Sequence, residues 1–207
     1  LPAGTLTRGQ VWALCAAALV VYLAAVFSLD PIVRWLWPIP VACFVVYPYL
    51  KRFTWLCHLW LGACLGLAPP GAWLAVTGTA PWEAWLLGLA IGLWVGGFDV
   101  IYACQDVAVD RRQHLKSIPV RFGVATSLWI SRAMHLATIG CFVLLGVVAH
   151  LGPLYFVGVA GVAVLLLYEQ SLVSETDLSQ AKRAFDLNGY VGILYFIVTA
   201  ISVYAGR

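Results

Sequence analysis

Charge is what this sequence has least of. Asp, Glu, Lys and Arg make up 10% of its 207 residues and hydrophobic residues 63%, and the mean hydropathy is +0.93. A soluble domain carries about 25% charged and about 45–50% apolar residues. The shortage excludes a disordered chain, a nucleic-acid-binding domain and an ordinary cytosolic enzyme. Methionine is almost missing: Met134 is the only one. Without an initiator Met, the chain is expected to be a fragment or a product of processing. The start, Leu1-Pro2-Ala3-Gly4, lacks the basic residues and short apolar core of a signal peptide. No Cys-x-x-Cys pair occurs among Cys15, Cys43, Cys57, Cys64, Cys104 and Cys141. Zinc and redox chemistry are therefore disfavoured, and the cysteines read as small buried residues. There is no internal repeat and no low-complexity tract, so residues 1–207 read as a single domain.

What the sequence does have is long apolar runs. Seven segments stand out, roughly Gln10–Leu29, Ile32–Leu50, Trp55–Thr77, Trp82–Cys104, Val124–His150, Pro153–Ser171 and Gly189–Tyr204. Each approaches the ~20 residues that carry a helix across about 30 Å of hydrocarbon. A membrane β-barrel would instead alternate in polarity over ~10-residue strands. The fold class is therefore all-α, a polytopic bundle of about seven transmembrane helices in a lipid bilayer. Pro69-Pro70-Gly71 predicts a kink in the third span. The ten Trp fall mostly near span ends, as interface anchors do. Gly62 and Gly66, and Gly88, Gly92 and Gly96, have the four-residue spacing of close helix packing.

The few charges are sorted. Of the twelve Lys and Arg, the N-terminal side of the alternating loops collects Arg8, Lys51, Arg52, Arg111, Arg112, Lys116, Arg121, Lys182 and Arg183. The opposite side holds Arg34 and Arg207, and Arg132 lies inside the fifth span. Positive charge favours the cytoplasm, so the N-terminal side is expected there. The longer polar connections, Gln105 to Gly123 and Ser174 to Asn188, are on that same side. Loops carry chemistry more often than the elements they join, so a site should open to the cytoplasm.

The end of the fourth span is the informative stretch. It reads Asp99-Val-Ile-Tyr102-Ala-Cys-Gln-Asp106-Val-Ala-Val-Asp110-Arg111-Arg112. At about 100° per residue, Asp99, Asp106 and Asp110 lie within roughly 40° of one another, with Tyr102 about 60° to one side. Two carboxylates about 6 Å apart repel by roughly 3 kcal/mol at an effective dielectric near 20, and an Asp at membrane depth costs a few kcal/mol more. A divalent cation, protonation, or neighbouring Arg and Lys would offset this. Oxygen-only ligands suit Mg²⁺, which keeps places for water and phosphate. Lys51, Arg52, Lys116 and Arg121 suit the anion such a metal would bind, so the cluster points to a Mg²⁺–diphosphate site. His58, His114, His135 and His150 show no ligand spacing.

These residues also carry a resemblance. The stretch Gly97-Phe98-Asp99 to Gly123, with its Asp-x-x-Tyr-x-x-x-Asp-x-x-x-Asp run and the ending Lys116-Ser117-Ile118-Pro119-Val120-Arg121-Phe122-Gly123, resembles the second aspartate-rich motif of the UbiA-superfamily intramembrane prenyltransferases. It is most similar to the 4-hydroxybenzoate polyprenyltransferase branch. Tyr47-Pro48-Tyr49-Leu50-Lys51-Arg52-Phe53-Thr54 resembles that family's basic loop. Phe185-Asp186-Leu187-Asn188-Gly189 resembles the start of its last helix, and Leu1-Pro2-Ala3-Gly4 the segment after its first aspartate-rich motif. The resemblance implies the last seven of nine helices, without the first two and without the first motif. It implies transfer of a polyprenyl group from polyprenyl diphosphate to an aromatic acid such as 4-hydroxybenzoate, in ubiquinone or menaquinone biosynthesis. The setting would be a bacterial-type inner membrane with the site facing the cytoplasm. The implied roles are Asp106, Asp110 and Asp99 on Mg²⁺, Lys51, Arg52, Lys116 and Arg121 on the diphosphate, Tyr102 facing an allylic cation, and Asn188 in the site or capping a helix.

Two other readings compete. A CDP-alcohol phosphotransferase also spaces aspartates by four, but its Asp-Gly-x-x-Ala-Arg run is absent before Asp106. A transporter would use Asp99 as an ion or proton relay, yet transporters place such groups near the midplane. Nothing in the residues fixes an oligomeric state.

Overall fold

The computed structural model describes residues 6–205. Leu1-Pro2-Ala3-Gly4 and Arg207 lie outside the described residues. Among the described residues every regular element is helical: α1 (Arg8–Ser28), α2 (Val33–Leu36), α3 (Pro38–Leu50), α4 (Cys57–Gly66), α5 (Ala68–Thr77), α6 (Trp82–Ala103), a 3₁₀ turn (Cys104–Asp106), α7 (Val107–Arg112), α8 (Ile118–Phe122), α9 (Val124–Val148), α10 (Pro153–Ser171) and α11 (Ala181–Ala205). They make seven stretches long and apolar enough to cross a membrane, with α2 and α3, α4 and α5, and α6 and α7 each joined into one.

Local chemistry sets the ends. Thr7 caps α1 in a reciprocal box with Gln10, which satisfies two backbone N–H groups that the first turn leaves free. The expected break in the third span falls at Leu67, where Pro69 and Pro70 open α5 in the positions a helix start tolerates. Gly78 ends that helix at φ 70°, the left-handed conformation that glycine adopts without a Cβ clash.

The last span starts earlier than its apolar run suggests. It begins at Ala181 rather than Gly189, with Lys182 pairing to Asp186 one turn on at 2.8 Å. A helix end that projects into water can be polar, so hydropathy alone misses its first two turns. Likewise the polar stretch after Gln105 is not an open loop. It contains α7 and α8, the latter capped by Ser117.

α6 lies at the centre, packed on α4, α5, α9 and α11, while α10 seals against α9 and α11. A seam of glycines lets α4 and α6 touch. A Cβ on Gly62 would fall on the carbonyl oxygen of Gly92, and one on Gly66 on that of Gly88. Backbone cannot give way as a side chain can, so only glycine permits this approach. Lipid is as apolar as leucine, so such close packing and internal hydrogen bonds, rather than hydrophobicity, hold the helices together. A second contact region joins α6, α9, α10 and α11 around Ala90, Phe142, Tyr155, Val159, Val162, Leu166 and Val191. There the Tyr155 hydroxyl donates to the Phe142 carbonyl at 3.0 Å.

Candidate active site

The site is built where α6 ends. The 3₁₀ turn at Cys104–Asp106 separates α6 from α7. Three steps at 120° instead of 100° rotate everything downstream by about 60° relative to a straight α-helix. Asp106 and Asp110 stay one turn apart and come to about 40° and 80° from Asp99 around the helix axis, so the expected shared face is wider than a straight helix would make it. Among the described residues no group of three or more His, Cys, Asp or Glu is placed to enclose a metal.

Each carboxylate has its own surroundings. Asp110 is 3% exposed and accepts from the Lys51 ammonium at 3.1 and 3.4 Å. Asp106 is half-buried and has no hydrogen-bond or ion-pair partner among the described residues. Asp99 accepts at Oδ2 from Nδ1 of His58, 2.7 Å away, and no other hydrogen bond reaches it. Mg²⁺ needs only one or two protein carboxylates, because water and phosphate oxygens complete its shell. Asp106, with Asp110 beside it, fits that donor set. Asp99 engages His58 through Oδ2 alone, while Asp110 engages Lys51.

The cations come from two loops tied to each other. The Lys116 backbone N–H donates to the Lys51 carbonyl at 2.6 Å, and the Lys116 ammonium donates to the Phe53 carbonyl at 3.1 Å. Arg121 lies over the rings of Trp55 and Phe122, at 5.1 and 5.3 Å, and those rings meet edge to face. The connection 51–56 and the segment 113–122 thus form one rim, with Lys51 reaching from it to Asp110. Arg52, Arg111 and Arg112 are exposed and have no ion-pair partner among the described residues. The structure brings Lys51, Lys116 and Asp110 together and puts Arg121 on the same rim. It uses Lys51 and Lys116 partly to hold the rim in shape.

Deeper along α6, aromatic rings line the boundary with α11. Tyr102 packs on Phe185, Phe185 on Phe98, and Phe98 on Trp94, with centroid separations of 4.9, 5.4 and 5.9 Å. Asn188 is not a helix cap, since it lies inside α11. It is buried and joins three helices. It accepts from the Trp94 indole N–H at 2.6 Å and donates to Glu169 Oε1 at 3.3 Å.

Sequence reasoning passed over His58, Glu169 and Gln170. His58 is 1% exposed and Glu169 fully buried. Gln170 accepts no role from spacing either, yet its amide donates to Ser131 at 2.8 Å and lies 3.0 Å from His135 Nδ1. The missed signal was available for the two ionisable residues: any such group inside a membrane span should be assigned a partner. The partner itself was not legible, because His58 and Asp99 are 41 residues apart.

Known proteins resemble this chain along nearly its whole length. A model of the UbiA prenyltransferase family matches residues 1–198. A protein of Sodalis glossinidius named 4-hydroxybenzoate octaprenyltransferase is 33% identical over 203 residues, covering 98% of this chain and 70% of that protein. One of the same name from Aromatoleum aromaticum is 31% identical over 205 residues, covering 99% and 69%. The apo structure of a UbiA homolog from Aeropyrum pernix K1 superposes with a TM-score of 0.87 at 32% identity, covering 97% of this chain and 75% of that one.

Proposed function

The chain belongs to the UbiA prenyltransferase family, and on that premise we propose that it transfers a polyprenyl group from polyprenyl diphosphate to the ring of 4-hydroxybenzoate or a similar aromatic acid in quinone biosynthesis. The observation that carries the reading is the composition of the α6–α7 end. Unpaired Asp106 stands one turn from Asp110, beside a rim bearing Lys51 and Lys116. The names of the Sodalis and Aromatoleum relatives supply the donor and acceptor classes.

The residues divide the work by depth. Lys51, Arg52, Lys116 and Arg121 offer positive charge to the diphosphate as it leaves, and each is fixed in or next to the rim. Asp106 and Asp110 would hold Mg²⁺, which when bound neutralises charge that develops on the departing diphosphate. Asp99 lies deeper on α6 and supplies negative charge where the allylic cation develops. Tyr102, on the aromatic row, presents a ring to the same cation. The row and the surrounding helices keep water from the cation until the acceptor ring attacks it, after which the ring proton is lost to a base and aromaticity returns. The isoprenoid tail is apolar and is accommodated along the helices or in lipid.

The protein is integral to the membrane. In this reading its cation-rich end faces the cytoplasm of a bacterial-type inner membrane. A transporter reading gains no support, since the site's acids and bases gather at one end and the relatives are named transferases.

The test uses membranes carrying the complete protein, radiolabelled 4-hydroxybenzoate and polyprenyl diphosphates of graded length. A prenylated, lipid-extractable ring product should form with Mg²⁺, disappear with EDTA, and need no proton gradient. No product from any diphosphate, with Mg²⁺ present, would overturn the proposal.

A further inference from the structure

We infer that His58 is a positioning residue for the transfer, holding the Asp99 carboxylate by one oxygen so that the other stays open to the reacting centre. The inference rests on the role proposed above for Asp99.

Burial comes first. His58 lies in the first turn of α4 and is 1% exposed. Its Nδ1 meets Asp99 Oδ2 at 2.7 Å, and its Nε2 is buried with no partner. Leaving a ring nitrogen unsatisfied costs free energy. The placement persists because Nδ1 is fully engaged. Asp99 has no second hydrogen bond, so its orientation depends on His58.

The position of the pair is then fixed by the glycine seam. The His58 carbonyl lies against Gly96, where a Cβ would stand 3.3 Å from it, and Gly62, one turn further along α4, lies on Gly92. Both contacts lie on one side of the pair, toward the start of α6, and hold the two backbones together beside it. The seam thereby fixes the spacing of the two helices that carry His58 and Asp99. Tyr47 of α3 and Cys57 are the other titratable groups close to the pair: Asp99 and Cys57 both interact with Tyr47, and Cys57 with His58. Among the described residues no Lys or Arg pairs with Asp99, whereas Asp110 has Lys51. The imidazole does for Asp99 what a cation does for Asp110, and it does so without leaving a long flexible side chain in the site.

Asparagine and glutamine separate this role from a structural one. Asparagine carries its amide nitrogen about where Nδ1 stands, and glutamine about where Nε2 stands. Both are polar and uncharged. In the complete protein, His58→Asn should keep kcat within about 3-fold, and His58→Gln should lower it by about 10- to 100-fold, the range seen when a residue that orients an active group is lost. KM for the diphosphate should change little in either. With Asp99→Asn as background, His58→Gln should cost nothing further, because the group it positions is gone. Rates are taken per mole of folded protein, measured by thermal unfolding in detergent.

Equal kcat for the two variants, a loss confined to KM, or losses that multiply in the double variant would each overturn the inference. If Asp99→Asn alone is inactive while His58→Gln is normal, only the role of His58 fails. If Asp99→Asn turns over normally, the role of Asp99 fails and this inference with it.

Discussion

The middle of the bundle and its α7 end treat polar groups in opposite ways. In the middle, polar side chains pair mainly with each other, although Glu169 Oε2, Gln170 Oε1 and His135 Nε2 keep no partner among the described residues. Trp94, Asn188 and Glu169 link α6, α11 and α10, Ser131, Gln170 and His135 link α9 and α10, and Thr138 donates to the Ala90 carbonyl at 3.2 Å. At the α7 end, Asp106, Arg52, Arg111 and Arg112 are unpaired. A polar group in hydrocarbon must find a partner within the protein, whereas one at the water boundary can wait for a ligand. The middle therefore reads as a device for registering helices, and the end as a device for binding. Substitutions should separate the two by what they damage.

The largest effect is expected in the middle. Gly62→Val puts two methyl groups where the Gly92 carbonyl stands. Overpacking against side chains costs about 1–3 kcal/mol, and here the obstacle is backbone, so α4 and α6 must part. That also withdraws His58, one turn away, from Asp99. Both the thermal midpoint in detergent and turnover should collapse together. A stable, active Gly62→Val protein would mean that the seam is not close-packed.

At the end, damage should fall on activity alone. Asp106→Asn removes one charge from a residue without a partner, so the thermal midpoint should stay within a degree or two of the parent. Turnover should fall at least about 100-fold, the scale of removing a group that stabilises charge in the transition state. Normal turnover would remove Asp106 from the site, and a large drop in the midpoint would give it a structural partner that the fold does not contain.

The same contrast explains what could be read from the sequence. Seven spans, the break near Pro69 and the concentration of cations at one end follow from composition and the positive-inside rule, and the structure agrees on the spans and the break. The four-residue spacing of Gly62, Gly66, Gly88, Gly92 and Gly96 also becomes the seam it suggests. What could not be read depends on a single turn or on distant pairing. The three residues of 3₁₀ helix carry no sequence mark, yet they shift Asp106 and Asp110 by about 60° relative to Asp99. His58 and Asp99 meet only because two helices approach through glycine. Of the two readings of Asn188, in the site or capping a helix, the cap is excluded because α11 starts at Ala181, in polar turns that hydropathy hides.

A smaller effect is expected from the polar links. Asn188→Ala removes hydrogen bonds to Trp94 and Glu169. Hydrogen bonds between membrane helices average about 0.6 kcal/mol and reach about 1.7, so the loss should be about 1–2 kcal/mol, read as a lower midpoint in an SDS unfolding titration. Glu169 would keep no hydrogen-bond partner, so Glu169→Gln in the same background should recover part of the loss. An Asn188→Ala protein with parental stability but no activity would move Asn188 from the middle to the site.

The smallest effect should come from α1. Val21 is among the most exposed apolar residues there, and of the α1 residues in its membrane window only 6% are buried, against 44% in the stretch containing α6. In water, exposing or trimming apolar surface changes stability through transfer free energy. In a bilayer a lipid tail replaces the lost methyl groups, so transfer contributes almost nothing and only packing counts. Val21→Ala should therefore leave the midpoint unchanged. Phe142→Ala, which empties a buried position on α9 against Tyr155 and Tyr195, should still cost a few kcal/mol because lipid cannot enter the cavity. If Val21→Ala proved as costly as Phe142→Ala, α1 would have to be packed against protein rather than lipid, and apolarity would regain the stabilising role that the seam of glycines and the buried polar pairs carry in the middle of the bundle.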